Sequence, residues 1–272
     1  MVRKLNDFSE NRLKGKKKSK ESKPASESYV VSAIKLLWLR QRERDRRSFV
    51  WKGKISPSSL IKGFRTCPKQ MIIDAQKQSN ANIDGIERME IGKIYHLIMQ
   101  RDAQDCDDLL WSKPNIPESL EEFRTKFEKH WPEVPVMDLE ARISGRADLV
   151  INIQRKPVVV DLKIPQEKDL DKWHEIRDTL PEDSHIAQVC FYIHVMNKYK
   201  YYDIPIEMGG IVYYNPYIPE AKGIPEKEYY FNYSDFKEDT EDLINHLTQH
   251  CIAFSNNVDL PCAYSKCETH NA

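Results

Sequence analysis

The chain has 272 residues, of which 40% are hydrophobic, and its 42 basic and 42 acidic side chains give a formal net charge of zero. This composition is typical of a globular protein and excludes a wholly disordered chain. The longest apolar stretch, residues 29–39, is interrupted by polar side chains and is shorter than the roughly 20 apolar residues of a membrane-spanning helix. We therefore expect no membrane segment and, because no apolar signal sequence follows the N-terminus, an intracellular, cytoplasmic location.

The charges are distributed unevenly along the chain. Residues 1–54 carry 17 basic and 6 acidic side chains, an excess of +11, and residues 55–272 carry the opposite excess of −11. Residues 1–28 are predicted to be a solvated basic tail, and residues 29–47 an amphipathic helix. The predicted organisation is thus a partly disordered basic segment, 1–54, followed by a folded domain, 55–272. The basic segment is either an arm that contacts nucleic acid, which we favour, or a solvated extension.

The folded domain begins with helical patterns. Ser56 and Pro57 predict the start of a helix, and further helical patterns cover residues 86–104 and 118–130. At Asp138 the character of the chain changes. Three short runs rich in Val, Ile and Leu then predict successive antiparallel strands, at residues 139–144, 147–153 and 157–163.

The second half of the domain alternates between helical and strand patterns. Residues 185–199 predict a helix, residues 210–214 and 228–233 predict strands, and residues 234–254 predict a final helix. The order predicts an α/β fold with a central mixed sheet of four to five strands, flanked by helices, and a helical N-terminal portion. The chain has only 9 glycines. They form neither G-x-G-x-x-G nor a Walker motif, and H-E-x-x-H is absent, which argues against dinucleotide-binding, NTPase and zincin sites.

Two aspartates and a lysine lie on adjacent predicted strands. Side chains alternate along a strand, so Asp161 and Lys163 share one face, and Asp148 on the neighbouring strand is close to them. Two such carboxylates repel each other unless a cation lies between them, and together with the Leu162 main-chain carbonyl they suit Mg²⁺ or Mn²⁺. A metal there would activate water, and Lys163 would stabilise charge on a phosphate, so the pattern predicts phosphodiester hydrolysis. The alternative is a structural Asp161–Lys163 ion pair.

These residues resemble the signature of the PD-(D/E)XK nuclease superfamily. Two further elements are similar to motifs of its RecB-type exonuclease branch: Gly92 to His96 resembles G-x-x-x-H, and Gln188 to Tyr192 resembles Q-x-x-x-Y. The elements follow the order of the family across about residues 56–215. Glu140 also matches an acidic position often found in this branch. Outside such a motif, His96 would be a core histidine, and Gln188 and Tyr192 would line a core edge.

The resemblance implies a restriction-endonuclease-like core and assigns roles to its residues. Lys163 would assist the attacking water, and Gln188 and Tyr192 would orient Lys163 or the substrate strand. The metal would be held by four groups: His96, Asp148, Asp161 and the main-chain carbonyl of Leu162.

The activity that the resemblance implies is metal-dependent hydrolysis of DNA, most often by an exonuclease acting on ends or single strands. DNA repair, recombination or replication would be the setting, with DNA as partner and recombination or replication proteins as further candidates. CRISPR-adaptation nucleases have a similar layout. The alternatives are a structure-selective or restriction-type endonuclease on the same core, and an inactive nucleic-acid-binding scaffold.

The cysteines raise a separate question. Some RecB-like nucleases hold a [4Fe-4S] cluster with one cysteine before the nuclease core and three after it, and the segments around Cys67, Cys262 and Cys267 resemble those ligand positions. Because Asp259 occupies one position of the usual C-x-x-C pair, Cys251 is the candidate for the remaining ligand. The alternatives are a degenerate site without a cluster and a zinc site that uses His270. Cys190 is expected to pack in the core.

Overall fold

The computed structural model describes residues 83–106, 108–117, 132–138, 140–141 and 143–255, together with Ser56. The predicted basic segment, the first predicted helix with Cys67, the predicted helix over 118–130, and Cys262 and Cys267 lie outside the described residues. Within the described part of the chain, no helix is long and apolar enough to span a membrane.

The described elements alternate between helices and strands. The helices are α1 (Ile83–Asp105), α2 (Leu170–Thr179), α3 (Asp183–Lys198) and α4 (Lys237–Ser255), with a 3-10 turn at Tyr233–Asp235 before α4. The strands are β1 (Val134–Asp138), β2 (Ile143–Ala147), β3 (Leu149–Ile153), β4 (Lys156–Lys163), β5 (Met208–Tyr214) and β6 (Glu226–Asn232).

Four of the strands form one mixed sheet in the order β3-β4-β5-β6. Strands β4 and β5 are parallel, and α2 and α3 lie in the connection between them, while the β3–β4 and β5–β6 pairs are antiparallel. Strands β1 and β2 form a separate antiparallel pair. The expected restriction-endonuclease-like α/β core, with a central mixed sheet flanked by helices, is thereby confirmed.

The prediction of a strand over residues 139–144 is wrong, because a turn interrupts the chain there. The Asp138 carboxylate accepts hydrogen bonds from the main-chain N–H groups of Glu140 and Ala141, which ends β1 before β2 begins at Ile143. This is a common local bond of an aspartate side chain. Strand β1 itself was missed, since it contains Pro135, a residue that sheets tolerate mainly on edge strands.

Apolar side chains fill both faces of the central sheet. Strand β4 is buried on both faces over residues 157–162, as expected of a strand with a parallel neighbour in a helix-covered sheet. On one face, Val158, Val160 and Leu162 pack with Ala103 of α1. On the other face, Val159 belongs to the larger core that includes α3. The alternation along β4 therefore turns Asp161 and Lys163 toward α3.

Helix α2 was not predicted, although its residues contain two local signals. The Asp169 side chain caps the helix by accepting from the N–H groups of Asp171 and Lys172. Trp173 is completely buried and donates from its indole nitrogen to the Ile224 carbonyl at 2.8 Å. Trp173 is the one fully buried side chain of α2, and Leu170 and Ile176 are its only other apolar residues, so the helical periodicity in the sequence is weak.

Helix α3 packs very closely on β5 at one glycine. A Cβ atom at Gly209 would lie 2.6 Å from Val189 of α3 and 2.6 Å from the Phe231 ring of β6. Only a residue without a side chain fits at this point, and the close approach brings the inner face of α3 against the sheet.

Candidate active site

The centre of the site is the carboxyl end of β4. Asp161 is 2% exposed, and its Oδ2 atom lies 2.7 Å from Nζ of Lys163. Among the described residues, Oδ2 has no partner other than this ammonium group. Buried carboxylate oxygens are costly when they are not satisfied. Within the described part of the chain, Oδ2 of Asp161 is therefore contacted by one lysine alone, and it can accept a second contact from a proton, a cation or a water molecule.

Gln188 of α3 connects the charged residues to each other. Its Oε1 accepts a hydrogen bond from Lys163 at 3.2 Å, and its Nε2 donates to Asp161 Oδ1 at 3.2 Å and to the Tyr192 hydroxyl at 2.8 Å. The amide orientation is consistent, because an ammonium group can only donate and a carboxylate can only accept. The structure thus brings Gln188 and Tyr192 together with Asp161 and Lys163.

Asp148 lies at the break between β2 and β3. Its Oδ2 accepts the main-chain N–H of Leu162 at 2.7 Å, in place of a ladder bond between strands. In an extended strand the N–H and C=O of one residue point to the same side. The Leu162 carbonyl therefore faces Asp148 and not β5.

Helix α1 contacts Asp148 from the outside. His96 Nδ1 lies 3.4 Å from Asp148 Oδ1, and Gln100, one turn later and 4% exposed, donates from Nε2 to the Asp148 carbonyl at 3.5 Å. Gln100 was not identified from the sequence. Its only signal there is the spacing of four residues from His96, which places both on one helix face.

The charges at the site strongly perturb proton binding. Burial, and then the charge of Asp148, raise the pKa of Asp161 to about 7, although Lys163 partly offsets this. Burial alone would lower the pKa of His96, but its hydrogen bond to Asp148 and the charges of Asp148 and Asp161 outweigh burial and raise it. Burial, and then the charge of Asp161, raise the pKa of Tyr192, so its hydroxyl is neutral. The two carboxylates thus have an excess of negative charge that a cation would neutralise.

The donors at this site fit a hard divalent ion in their chemistry. Across the described ranges, no three His, Cys, Asp or Glu side chains are grouped as a complete metal site. Mg²⁺ does not need such a group, since it commonly binds one or two carboxylates and keeps water or phosphate ligands. The oxygens of Asp148 and Asp161 and the Leu162 carbonyl are donors of this kind.

Two cavities adjoin the site on either side of α1. One of about 680 Å³ is bordered by His96 and Gln100, and its wall carries the cations Lys93, Arg101 and Arg146. The other, of about 760 Å³, begins at Ile164, directly after β4. Its lining includes Arg88, Lys168 and Tyr217. Both cavities combine cationic and apolar side chains.

Glu140 is not at this site. Its carboxylate pairs at 2.7 Å with Lys198, at the far end of α3, ten residues after Gln188. Asp138 joins the same group through a 3.0 Å contact with Lys198.

Two cysteine side chains are described, those of Cys106 and Cys190, and neither is hydrogen-bonded to a described residue of the site. Cys190 is buried in α3, and Cys251 lies in α4 with a side chain outside the described set. The cluster made from Cys67, Cys251, Cys262 and Cys267 therefore stays a prediction.

A family model of the PD-(D/E)XK nuclease superfamily matches residues 54–270, which include every residue of the site. No match was found among curated protein sequences.

Several solved structures show a distant likeness. The crystal structure of SSO0001 is 17% identical with a TM-score of 0.46, covering 83% of this chain and 88% of that one. LHK-Exo in complex with dAMP is 12% identical with a TM-score of 0.37, covering 82% and 95%. LHK-Exo, an alkaline exonuclease from Laribacter hongkongensis, is in a second structure 12% identical with a TM-score of 0.34, covering 82% and 97%. Likenesses this distant carry no argument about activity.

Proposed function

Because the chain belongs to the PD-(D/E)XK nuclease superfamily, we propose that it is a metal-dependent deoxyribonuclease that hydrolyses phosphodiester bonds at DNA ends or in single strands, inside the cell. The observation that supports this most directly is the arrangement around Asp161. A buried carboxylate, one oxygen of which has only Lys163 as a partner among the described residues, lies beside a second carboxylate that raises its pKa. A second carboxylate next to a purely structural ion pair would only destabilise it, whereas two neighbouring carboxylates are what a divalent ion binds.

In this proposal Asp148, Asp161 and the Leu162 carbonyl hold the ion, and His96 supports it either as a ligand or by orienting Asp148. When bound, Mg²⁺ or Mn²⁺ supplies a more acidic water and neutralises charge on the phosphate. Asp148 is already positioned for this, since its second oxygen is fixed by the Leu162 N–H. The main-chain bond sets the direction of the carboxylate, and its other oxygen remains near His96.

Lys163 is the proposed catalytic cation. Its ammonium group donates to Gln188 and lies against Asp161, which leaves its third proton for the attacking water or for a phosphate oxygen. Gln188 orients Lys163, and Tyr192 in turn fixes the Gln188 amide with a 2.8 Å hydrogen bond. Such preorganised donors stabilise the charge that develops on the phosphate in the transition state.

The substrate would follow the two cavities beside α1. Arg146 and Lys93 line one, and Lys168 and Tyr217 line the other, a mixture that suits phosphates and stacked bases. The basic segment 1–54 would add phosphate contacts outside the acidic domain. Preference for ends, a [4Fe-4S] cluster and a role in repair, recombination or replication, with proteins of those processes as partners, are expectations from the RecB-type resemblance.

Replacement of the two lysines of β4 tests the proposal. Lys163→Met should lower the rate of Mg²⁺-dependent cleavage by roughly 10²–10³-fold, the usual loss for one transition-state donor. Lys156→Met is the matched control, because Lys156 begins the same strand, is exposed, and pairs at 2.9 Å with Glu207. Its cleavage rate should be that of the wild type.

The assay uses end-labelled single-stranded, duplex and circular DNA with the full chain, with Mg²⁺ and with EDTA. Degradation of linear DNA and survival of circles is the expected result. Cleavage of circular DNA would show that the activity is that of an endonuclease, because circles have no ends. Binding without cleavage by any form would favour the inactive scaffold and overturn the proposal. Undiminished cleavage by Lys163→Met would overturn the assignment of the site.

A further inference from the structure

A histidine–tyrosine pair borders Lys163 on the β5 side of the site. Tyr213 is opposite Lys163 in the parallel register of β4 and β5, and it belongs to the core on the α3 face. Its hydroxyl lies 2.8 Å from Nδ1 of His185, in the first turn of α3. Gln188, which bonds to Lys163, is three residues further along this helix. His185 and Gln188 therefore lie on the same face of α3, where His185 contacts β5 and Gln188 contacts β4.

The hydrogen bonds of Tyr213 fix which nitrogen of His185 carries the proton. Tyr213 is 1% exposed, so its hydroxyl proton requires an acceptor inside the protein. The Glu182 main-chain N–H, 3.3 Å from the hydroxyl, can only donate, whereas an imidazole nitrogen can accept. The hydroxyl therefore donates to Nδ1, and the proton of the neutral ring is on Nε2. Burial, and then the charge of Lys163, lower the pKa of His185 to about 4, so the ring is neutral at physiological pH.

The Nε2–H group has no acceptor among the described residues. A Glu182 carboxylate oxygen lies 3.9 Å away, beyond hydrogen-bonding distance, and 22% of the His185 side chain is exposed. The site thus contains a second donor beside Lys163, held in one orientation by Tyr213 and open to solvent. A neutral donor can share a phosphate with an ammonium group without the repulsion that a second cation would bring.

We propose that His185 is a catalytic residue, which donates a hydrogen bond from Nε2 to a non-bridging oxygen of the same phosphate that Lys163 contacts. The proposal rests on the nuclease function proposed above. Negative charge on these oxygens changes during the displacement, and a fixed donor aimed at them acts mainly on kcat. His185 would then contact the phosphate from the β5 side, while Asp148 lies on the β3 side.

Two amide substitutions separate this role from packing. The amide nitrogen of glutamine reaches the position of imidazole Nε2, and that of asparagine reaches the position of Nδ1. His185→Gln should keep kcat within about threefold of the wild type. His185→Asn should lower kcat about tenfold to hundredfold at nearly unchanged KM for DNA, the loss of one hydrogen bond to a charged group. Thermal unfolding reports the packing role separately: asparagine can still accept the Tyr213 hydroxyl proton, whereas glutamine leaves that hydroxyl without its acceptor and should lower the melting temperature more.

The control is a similar pair on the same helix. His194 lies 3.2 Å from the Tyr233 hydroxyl and faces Glu241, far along α3 from Lys163. His194→Asn and His194→Gln should leave kcat unchanged. Equal losses in His185→Gln and His185→Asn, or full activity of His185→Asn while Lys163→Met is inactive, would overturn the role of His185 alone. Full activity of Lys163→Met, or no cleavage by the wild type, would instead overturn the proposed function.

Discussion

Removing the charge of Asp161 should abolish cleavage and at the same time make the metal-free protein more stable. Asp161 is buried next to Asp148, and Lys163 is the only partner of its Oδ2 atom among the described residues. In Asp161→Asn the volume of the side chain is kept and the buried negative charge is lost. The substitution therefore removes the proposed ligand and the repulsion between the carboxylates together.

The size of the effect follows from proton binding. The pKa of Asp161 is raised from the ordinary 3.8 to about 7, chiefly by burial and then by Asp148. The folded state then binds the proton more tightly than the unfolded state, so stability falls as pH rises from about 4 to about 7 and remains lower above that. Each tenfold change in proton affinity is worth about 1.4 kcal/mol, which gives an upper limit of about 4 kcal/mol. Because the attraction to Lys163 is also lost, we expect a net gain of about 1–3 kcal/mol.

The assay is thermal unfolding at pH 8 in EDTA and in Mg²⁺. In EDTA the melting temperature of Asp161→Asn should exceed that of the wild type by about 3–10 °C. Mg²⁺ should raise the melting temperature of the wild type and leave that of the variant nearly unchanged.

Asp138 provides the matched control, because it is also completely buried but well paired. Burial raises its pKa, yet the Ala141 N–H and Lys198 outweigh burial and hold the pKa below its ordinary value. The stability from its charge is thus present above about pH 4 and is lost as pH falls through the lowered pKa. Asp138→Asn should destabilise the protein by about 1–3 kcal/mol. A melting temperature in EDTA that fell equally in Asp161→Asn would refute the reasoning and make the Asp161–Lys163 pair structural.

Three further predictions concern packing, the basic segment and the cysteines. Gly209→Ala should cost about 1–3 kcal/mol in urea unfolding, because its Cβ meets Val189 and Phe231, and Gly210→Ala should cost less, because the Tyr230 ring that it meets is 37% exposed and can move. Deletion of residues 1–28 should weaken DNA binding mostly at low salt. An unchanged salt dependence of the dissociation constant would show that this tail does not contact DNA. Visible absorbance and iron in anaerobically purified protein, with both lost in Cys67→Ser, would establish the cluster, and colourless, iron-free wild type would remove it.

The aspartates and the lysine could be placed from the sequence because their relation is local. Asp161 and Lys163 are two residues apart on one strand, so their side chains lie on the same face. A short hairpin places Asp148 next to them, and neither relation depends on the packing of the remaining elements. The motif spacing likewise placed Gln188 and Tyr192 one turn apart on α3, with their side chains on one face. These inferences needed only the period of a strand and of a helix.

The remaining partners depend on how the elements pack, which the local pattern does not contain. Gln100 meets Asp148 only because α1 lies across the end of β3, and Tyr213 meets His185 only because β5 is parallel to β4 in one register. Glu140 lies two residues after the end of β1, and the turn at Asp138 places its carboxylate next to Lys198. Sequence spacing cannot distinguish such neighbours from residues on the opposite side of the sheet.

The chain breaks between β2 and β3 at Asp148, so the main-chain N–H and C=O of Leu162 are not paired with a neighbouring strand. In the proposed mechanism these two groups take part in the site. If the chain continued straight, β2 would pair with the end of β4, and the polar groups of Leu162 would be consumed by the ladder. Instead β2 pairs with β1, and Leu162 donates to a side chain. A variant could thus retain both aspartates and the lysine and still lose the proposed oxygen donor by gaining one strand pair. The proposed site thus requires the motif residues and, in addition, a Leu162 carbonyl that is not hydrogen-bonded to a neighbouring strand.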